Sequence, residues 1–178
     1  MANVQLVINE LKKCGVTHLM GLPDNTSAAL FSELAENPDI ELITVTREGE
    51  AFALASGLWL GGKVPVIVIQ NTGLLESGDG YRGTALRMRV PLLCLITYRG
   101  YSRTMKMRAD TVGEPSLDHY SRADLDSAAI MTEPTLDAWG LPYEFIHSDR
   151  DVEKISSAFE RAETESRPVA LLITEDLT

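Results

Sequence analysis

The 178-residue sequence predicts an α/β protein, a three-layer sandwich with a mainly parallel sheet of about six strands between helices. Three observations lead there. Short apolar runs, among them Val64-Pro65-Val66-Ile67-Val68-Ile69 and Leu92-Leu93-Cys94-Leu95-Ile96, recur between stretches of helical periodicity. These runs are unbroken rather than alternating, which suits strands buried on both faces of a parallel sheet. Turn and cap residues such as Gly15, Pro23-Asp24 and Ser148 stand at the joins.

Val4, Val7, Ile8 and Leu11 recur at helical spacing and Gly15 ends the first helix. A strand near Thr17 to Met20 follows, then a turn at Gly21-Leu22-Pro23-Asp24-Asn25-Thr26 and a helix over residues 28–34. The unit repeats with a strand over Ile40 to Val45 and a helix over Phe52 to Leu60, and again with the strand of residues 64–69. Gln70-Asn71-Thr72-Gly73 reads as a loop toward a helix around Gly83 to Met88, before the strand of residues 92–96. Residues 98–126 are polar, contain Gly100, Gly113 and Pro115, and show no sustained period, so they read as a long functional loop. A helix near Pro134 to Trp139, a strand at Tyr143 to Ile146, a helix from Asp149 to Ala162 capped by Ser148 and a strand from Val169 to Ile173 complete a single domain.

A hydrophobic content of 44% with 24% charged residues is ordinary for a globular domain. The net charge of -10 argues against nucleic-acid or anionic-membrane partners, which need a positive footprint. One segment departs from that average. From Arg82 to Ala109 there is no acidic residue, while Arg82, Arg87, Arg89, Arg99, Arg103, Lys106 and Arg108 all fall there. A solvated face explains such a run, and so does a small anionic substrate. Cys14 and Cys94 lack CxxC spacing and a nearby His, so they read as core residues in a reducing cytoplasm rather than as ligands. No apolar run is long enough to span a bilayer, and no export signal is indicated.

The chemistry concentrates at Val45-Thr46-Arg47-Glu48-Gly49-Glu50-Ala51, where Glu48 stands at a strand-to-helix corner. In open α/β sheets such corners, beyond the carboxyl ends of strands, are where ligands bind. A plain structural role is available too: an acidic residue at a helix start complements the dipole and caps free N–H groups. Asp24 and Asn25 carry the same ambiguity between N-cap chemistry and catalysis. Gln70, Asn71 and Thr72 offer amides and a hydroxyl to a ligand, or simply close their loop.

Thr46-Arg47-Glu48-Gly49-Glu50-Ala51 through Gly57, followed by Gly61-Gly62-Lys63-Val64-Pro65-Val66, resembles the pyrimidine-binding domain of thiamine diphosphate enzymes. The likeness covers nearly the whole chain. Gly21-Leu22-Pro23-Asp24, Glu48-Gly49, Gln70-Asn71-Thr72-Gly73, Tyr98-Arg99-Gly100 and Thr132-Glu133-Pro134 together are similar to the phosphonopyruvate and sulfopyruvate decarboxylase group. The resemblance implies that Glu48 is the catalytic acid bonded to the cofactor's pyrimidine N1', where it favours the imino tautomer that serves as base. A carboxyl held out of water shares its proton there more readily than a solvated one. It also implies that Asp24 or Asn25 faces the reacting carbonyl, and that Gln70, Asn71, Thr72 and Gly73 border the cofactor.

Thiamine diphosphate enzymes hold Mg²⁺ and the diphosphate through a Gly-Asp-Gly motif completed by a downstream Asn. Gly78-Asp79-Gly80 has no such completion, because Asn71 is the last Asn in the sequence, so the triplet reads as loop and helix-start chemistry. The chain thus holds no metal ligands of its own in this reading. A β subunit carrying the complete motif, the diphosphate and Mg²⁺ is implied, in a hetero-oligomer. Arg99, Arg103, Lys106 and Arg108 are candidates for the anionic tail of a 2-oxo acid, since guanidinium forks match sulfonate or phosphonate oxygens. His119 is a candidate acid-base or substrate residue on the same segment, against the plain alternative of an exposed loop histidine. Sulfopyruvate is the first substrate expectation and phosphonopyruvate the second. A non-catalytic binding or regulatory subunit is the reading from another class, and a flavodoxin-like nucleotide module is weakened by the lack of a Gly-rich loop after the first strand.

Overall fold

The computed structural model describes residues 1–110 and 116–178, with the side chains of 108–110 also outside the description. The chain opens with α1 (Val4–Lys13), whose first turn is capped by Asn3: its Oδ1 accepts from the N–H groups of Gln5 at 2.9 Å and Leu6 at 3.2 Å. Gly15 ends the turn at φ +72°, a left-handed conformation that favours glycine. β1 (His18–Gly21), α2 (Ala28–Ala35), β2 (Glu41–Thr44), α3 (Glu48–Leu60) and β3 (Pro65–Gln70) follow. Next come α4 (Asn71–Glu76), the single turn α5 (Gly78–Gly80), a π-helical segment (Tyr81–Leu86) and β4 (Leu93–Thr97). The remaining elements are α6 (Tyr101–Asp110), α7 (Leu117–Ser121), α8 (Ser127–Trp139), β5 (Tyr143–Ile146), a 3₁₀ turn (Asp149–Asp151), α9 (Lys154–Glu165) and β6 (Val169–Ile173).

The six strands form one sheet in the order β2-β1-β3-β4-β6-β5, and every neighbouring pair is parallel. Alternate side chains divide the core as the pleat requires. Val66, Val68, Leu93, Leu95, Val169 and Leu171 pack against α1, α2 and α9, while Ile67, Ile69, Cys94, Ile96, Ala170 and Leu172 face α3, α4, α8 and the π-helical segment. The expected three-layer α/β sandwich is therefore the observed architecture. Complete burial of Cys94 pushes its thiol well above the usual range, consistent with a core residue.

Four local expectations need correction. α3 starts at Glu48 rather than Phe52, because Glu50 and Glu76 supply acceptors that let the Gly49 turn be helical. Gln70-Asn71-Thr72-Gly73 is not a loop: β3 ends at Gln70 and α4 begins at once, despite residues of poor helix propensity. α8 runs through Pro134 instead of beginning there, since its cap is Asp126, whose Oδ1 accepts from the Ala128 N–H at 3.1 Å. Pro134 sits on the exposed side, where water can substitute for the missing amide donor. The segment at 98–126 carries α6 and α7 among its described residues, although residues 111–115 lie outside the description. α6 buries Thr104 and Met107 on a narrow face, and a buried threonine gives no apolar signal for periodicity to detect.

Candidate active site at the carboxyl edge of the sheet

After β1 the chain passes outward to β2 and then returns to the other side of β1 to form β3, so the connections diverge between β1 and β3. Such a divergence opens a crevice at the carboxyl ends of the strands. Asp24 follows β1, Glu48 follows β2, Gln70 ends β3 with Asn71 to Gly73 directly after it, and Arg99 follows β4, so the sequence-predicted residues of the first four strands meet at one edge. Gln70 and Thr97 are partners in the β3–β4 register, which places their side chains next to each other.

Asp24 ties this edge together. Its Oδ2 accepts from Gln70 Nε2 at 2.9 Å and from the Thr97 hydroxyl at 2.8 Å. Its Oδ1 accepts from the Ser27 N–H at 2.9 Å and the Ser27 hydroxyl at 2.5 Å. Four donors saturate the carboxylate. Gln70 is oriented at both ends, because its Oε1 accepts from the Thr72 hydroxyl at 2.6 Å. Asn25, by contrast, is exposed and makes no hydrogen bond with any other described residue.

Glu48 is half-buried at the first position of α3 and its carboxylate has no hydrogen-bond partner among the described residues. The capping role open to it in the sequence is performed by its neighbours. Glu50 accepts from the N–H groups of Thr46 at 3.1 Å and Arg47 at 3.3 Å, and from the Thr46 hydroxyl at 3.1 Å. Those donors, Thr46 first, hold the Glu50 carboxyl below the usual carboxylate range. Glu76 accepts from the Gly49 N–H at 2.9 Å and forms a surface ion pair with Arg47. The Glu48 side chain lies over the Cα of Gly73, so close that an added β-carbon there would meet its Cγ at 2.2 Å.

Asn71 is fully buried and joins three elements. Its Nδ2 donates to the Arg99 carbonyl at 3.2 Å and to Thr132 Oγ1 at 3.0 Å, linking α4 to the end of β4 and to α8. Its Oδ1 has no donor among the described residues, an uncommon state for a buried carbonyl oxygen. An unpartnered carboxyl and an orphaned amide oxygen suit a nitrogen heterocycle carrying N–H donors. Among the described residues no group of three His, Cys, Asp or Glu side chains is placed to hold a metal ion. Asp79 of the Gly-Asp-Gly triplet pairs with Arg82 at 2.6 Å, and the triplet forms the helical turn α5.

The cationic candidates separate. Arg103, Lys106 and His119 line one cavity of about 810 Å³ between α6 and α7, together with Arg122 and Asp124. Arg99 instead pairs with Asp126 at 2.7 Å, and the side chain of Arg108 is outside the described residues. His119 Nδ1 accepts from the Ser116 N–H at 2.9 Å, capping α7. Arg122 was not a sequence candidate. It forms a two-point ion pair with Asp124 and holds that carboxyl below its usual range. α4, α6 and α7 all pack on α8, which connects the cavity wall to the rim of the sheet. Thr97 was also missed, since a threonine ending a strand carries no sign beyond β-propensity.

A parallel sheet between helices, with its connections diverging between β1 and β3, is an α/β domain of the doubly wound kind. The chain belongs to the family of thiamine pyrophosphate enzyme N-terminal TPP-binding domains, whose profile matches residues 1–121. It is 35% identical over 86 residues to a phosphonopyruvate decarboxylase of Streptomyces viridochromogenes, a match covering 48% of this chain and 22% of the relative. It is 30% identical over 94 residues to the sulfopyruvate decarboxylase subunit alpha of Methanocaldococcus jannaschii, covering 53% of this chain and 56% of that one. The corresponding subunit of Methanococcus maripaludis is 28% identical over 96 residues, covering 54% and 58%. The chain thus spans little more than half of these subunits and about a fifth of the longer enzyme. A 2-oxoglutarate:ferredoxin oxidoreductase from Magnetococcus marinus shares the fold, with a TM-score of 0.66 at 15% identity, covering 97% of this chain and 28% of that one. Among the described residues no helix is long and apolar enough to cross a membrane.

Proposed function

We propose that this chain is the α subunit of a thiamine diphosphate-dependent decarboxylase that acts on a short 2-oxo acid with an anionic tail, sulfopyruvate before phosphonopyruvate. The observation that carries the reading is Glu48, a half-buried carboxyl whose capping duties are met by Glu50 and Glu76. Bound thiamine diphosphate would supply a carbon nucleophile and an electron sink for the departing carboxylate. Glu48 would hold a proton at the pyrimidine nitrogen, with the Asn71 and Gly73 turn beside it. Asp24 keeps Gln70 and Thr97 in place along the rim, which leaves Asn25 as the polar side chain free to meet the reacting carbonyl.

Arg103 and Lys106, with His119 nearby, would receive the sulfonate or phosphonate, a tail that a guanidinium fork matches in shape as well as charge. In this reading the diphosphate and Mg²⁺ would be held by a partner chain carrying Gly-Asp-Gly completed by an Asn. The printed names of the methanogen relatives, subunits alpha, support a second subunit. Sequence likeness to a phosphonopyruvate decarboxylase keeps that substrate as the second reading. The test is coexpression with such a partner, followed by assay of CO₂ release with thiamine diphosphate and Mg²⁺. Sulfopyruvate should be turned over faster than phosphonopyruvate or pyruvate. No CO₂ from any of the three would leave only a binding or regulatory role.

A further inference from the structure

We propose that Gly73 is a positioning residue for Glu48: it is glycine because the Glu48 side chain occupies the space a β-carbon would take. An ideal β-carbon at Gly73 would stand 2.2 Å from Glu48 Cγ, 2.4 Å from Cδ and 2.5 Å from Oε1, far inside any real contact. Backbone conformation does not account for the glycine. Gly73 lies within α4, and it is absent from the glycines with positive φ, which are Gly15, Gly62, Gly100 and Gly140. Gly73 stands in the first turn of α4, where glycine is a poor helix former and the contact with Glu48 supplies a steric reason for it.

Both walls of the contact are fixed. On the α4 side, Asn71 and Leu74 are buried, and the Gly73 carbonyl accepts from the Ser77 N–H at 3.0 Å and the Ser77 hydroxyl at 2.5 Å. On the α3 side, Glu76 holds the Gly49 N–H and Glu50 holds those of Thr46 and Arg47. The clash includes Cγ, which only a change in χ1 can move clear. A methyl group at residue 73 therefore displaces the carboxylate and leaves the fold standing. The catalytic consequence rests on the role given to Glu48 above.

The test compares Gly73→Ala, Glu48→Ala and the double variant. A crystal structure of Gly73→Ala should show Glu48 in a different χ1 rotamer with α4 in place; an unmoved Glu48 overturns the inference. If the single variant fails to fold, the double variant, in which the space is empty, should fold, and failure of both overturns it equally. In the assembled enzyme, Gly73→Ala should lower kcat about 100-fold or more, and adding it to Glu48→Ala should lower kcat no further. Additive losses contradict the inference. If Glu48→Ala alone turns over like the wild type while the rotamer change is seen, the positioning stands and the proposed function falls.

Discussion

Asp24 directs both of its carboxylate oxygens at the protein itself, and this separates it from Asn25 next door. The two residues are equivalent candidates in the sequence, since each suits a turn, a cap or a catalytic corner. What distinguishes them is a set of donors that arrive from distant positions: Ser27 nearby, but Gln70 on β3 and Thr97 on β4. Long-range partners of this kind leave no local mark. Thr97 is completely buried, so removing this acceptor leaves its hydroxyl only the longer contact to the Ile69 carbonyl at 3.5 Å. Asp24→Ala should lower unfolding free energy by about 1–3 kcal/mol, whereas Asn25→Ala should change it by less than about 0.5 kcal/mol. Denaturant titration of the two variants checks both values. The place of Glu48 at a strand-to-helix corner was legible for the opposite reason: its setting is local, a strand, one corner and a helix of small residues.

At the scale of elements, strands were easier to read than helix starts. β6 falls where its apolar run predicts, because a buried parallel strand announces itself in consecutive residues. α8 was misread because Pro134 carries the signal of a helix start while occupying an interior position. The cap expected at Ser148 belongs to the 3₁₀ turn, and α9 itself begins only at Lys154 rather than at Asp149. Ser148 precedes the 3₁₀ turn, and Asp151 Oδ2 accepts from the His147 N–H at 3.0 Å and the Ser148 N–H at 3.2 Å. The Lys154 ammonium at 2.7 Å is the leading cause that holds the Asp151 carboxyl below its usual range. A lowered folded-state value means that the contribution is complete above the ordinary aspartate pKa of about 3.9. It is lost as pH falls through the folded value. Asp151→Asn should therefore melt below the wild type at neutral pH, with the gap closing as pH drops below about 4. Thermal melts across that range measure it, and a gap independent of pH would exclude the ion pair as its source.

For the whole molecule, the alternation of elements specified a parallel three-layer sheet, but not the strand order β2-β1-β3-β4-β6-β5, which depends on packing across the core. That order is what brings Asp24, Glu48 and Gln70 to one rim from three separate strand ends. The same order sets the Glu48 carboxyl at that rim, where the proposed function has it hold a proton while a second chain holds the diphosphate. The most direct measurement is kcat of the coexpressed complex carrying Glu48→Gln, with thiamine diphosphate binding measured alongside. A drop of about 10²–10⁴-fold with the cofactor still bound is the predicted result. Wild-type turnover by Glu48→Gln would contradict the account.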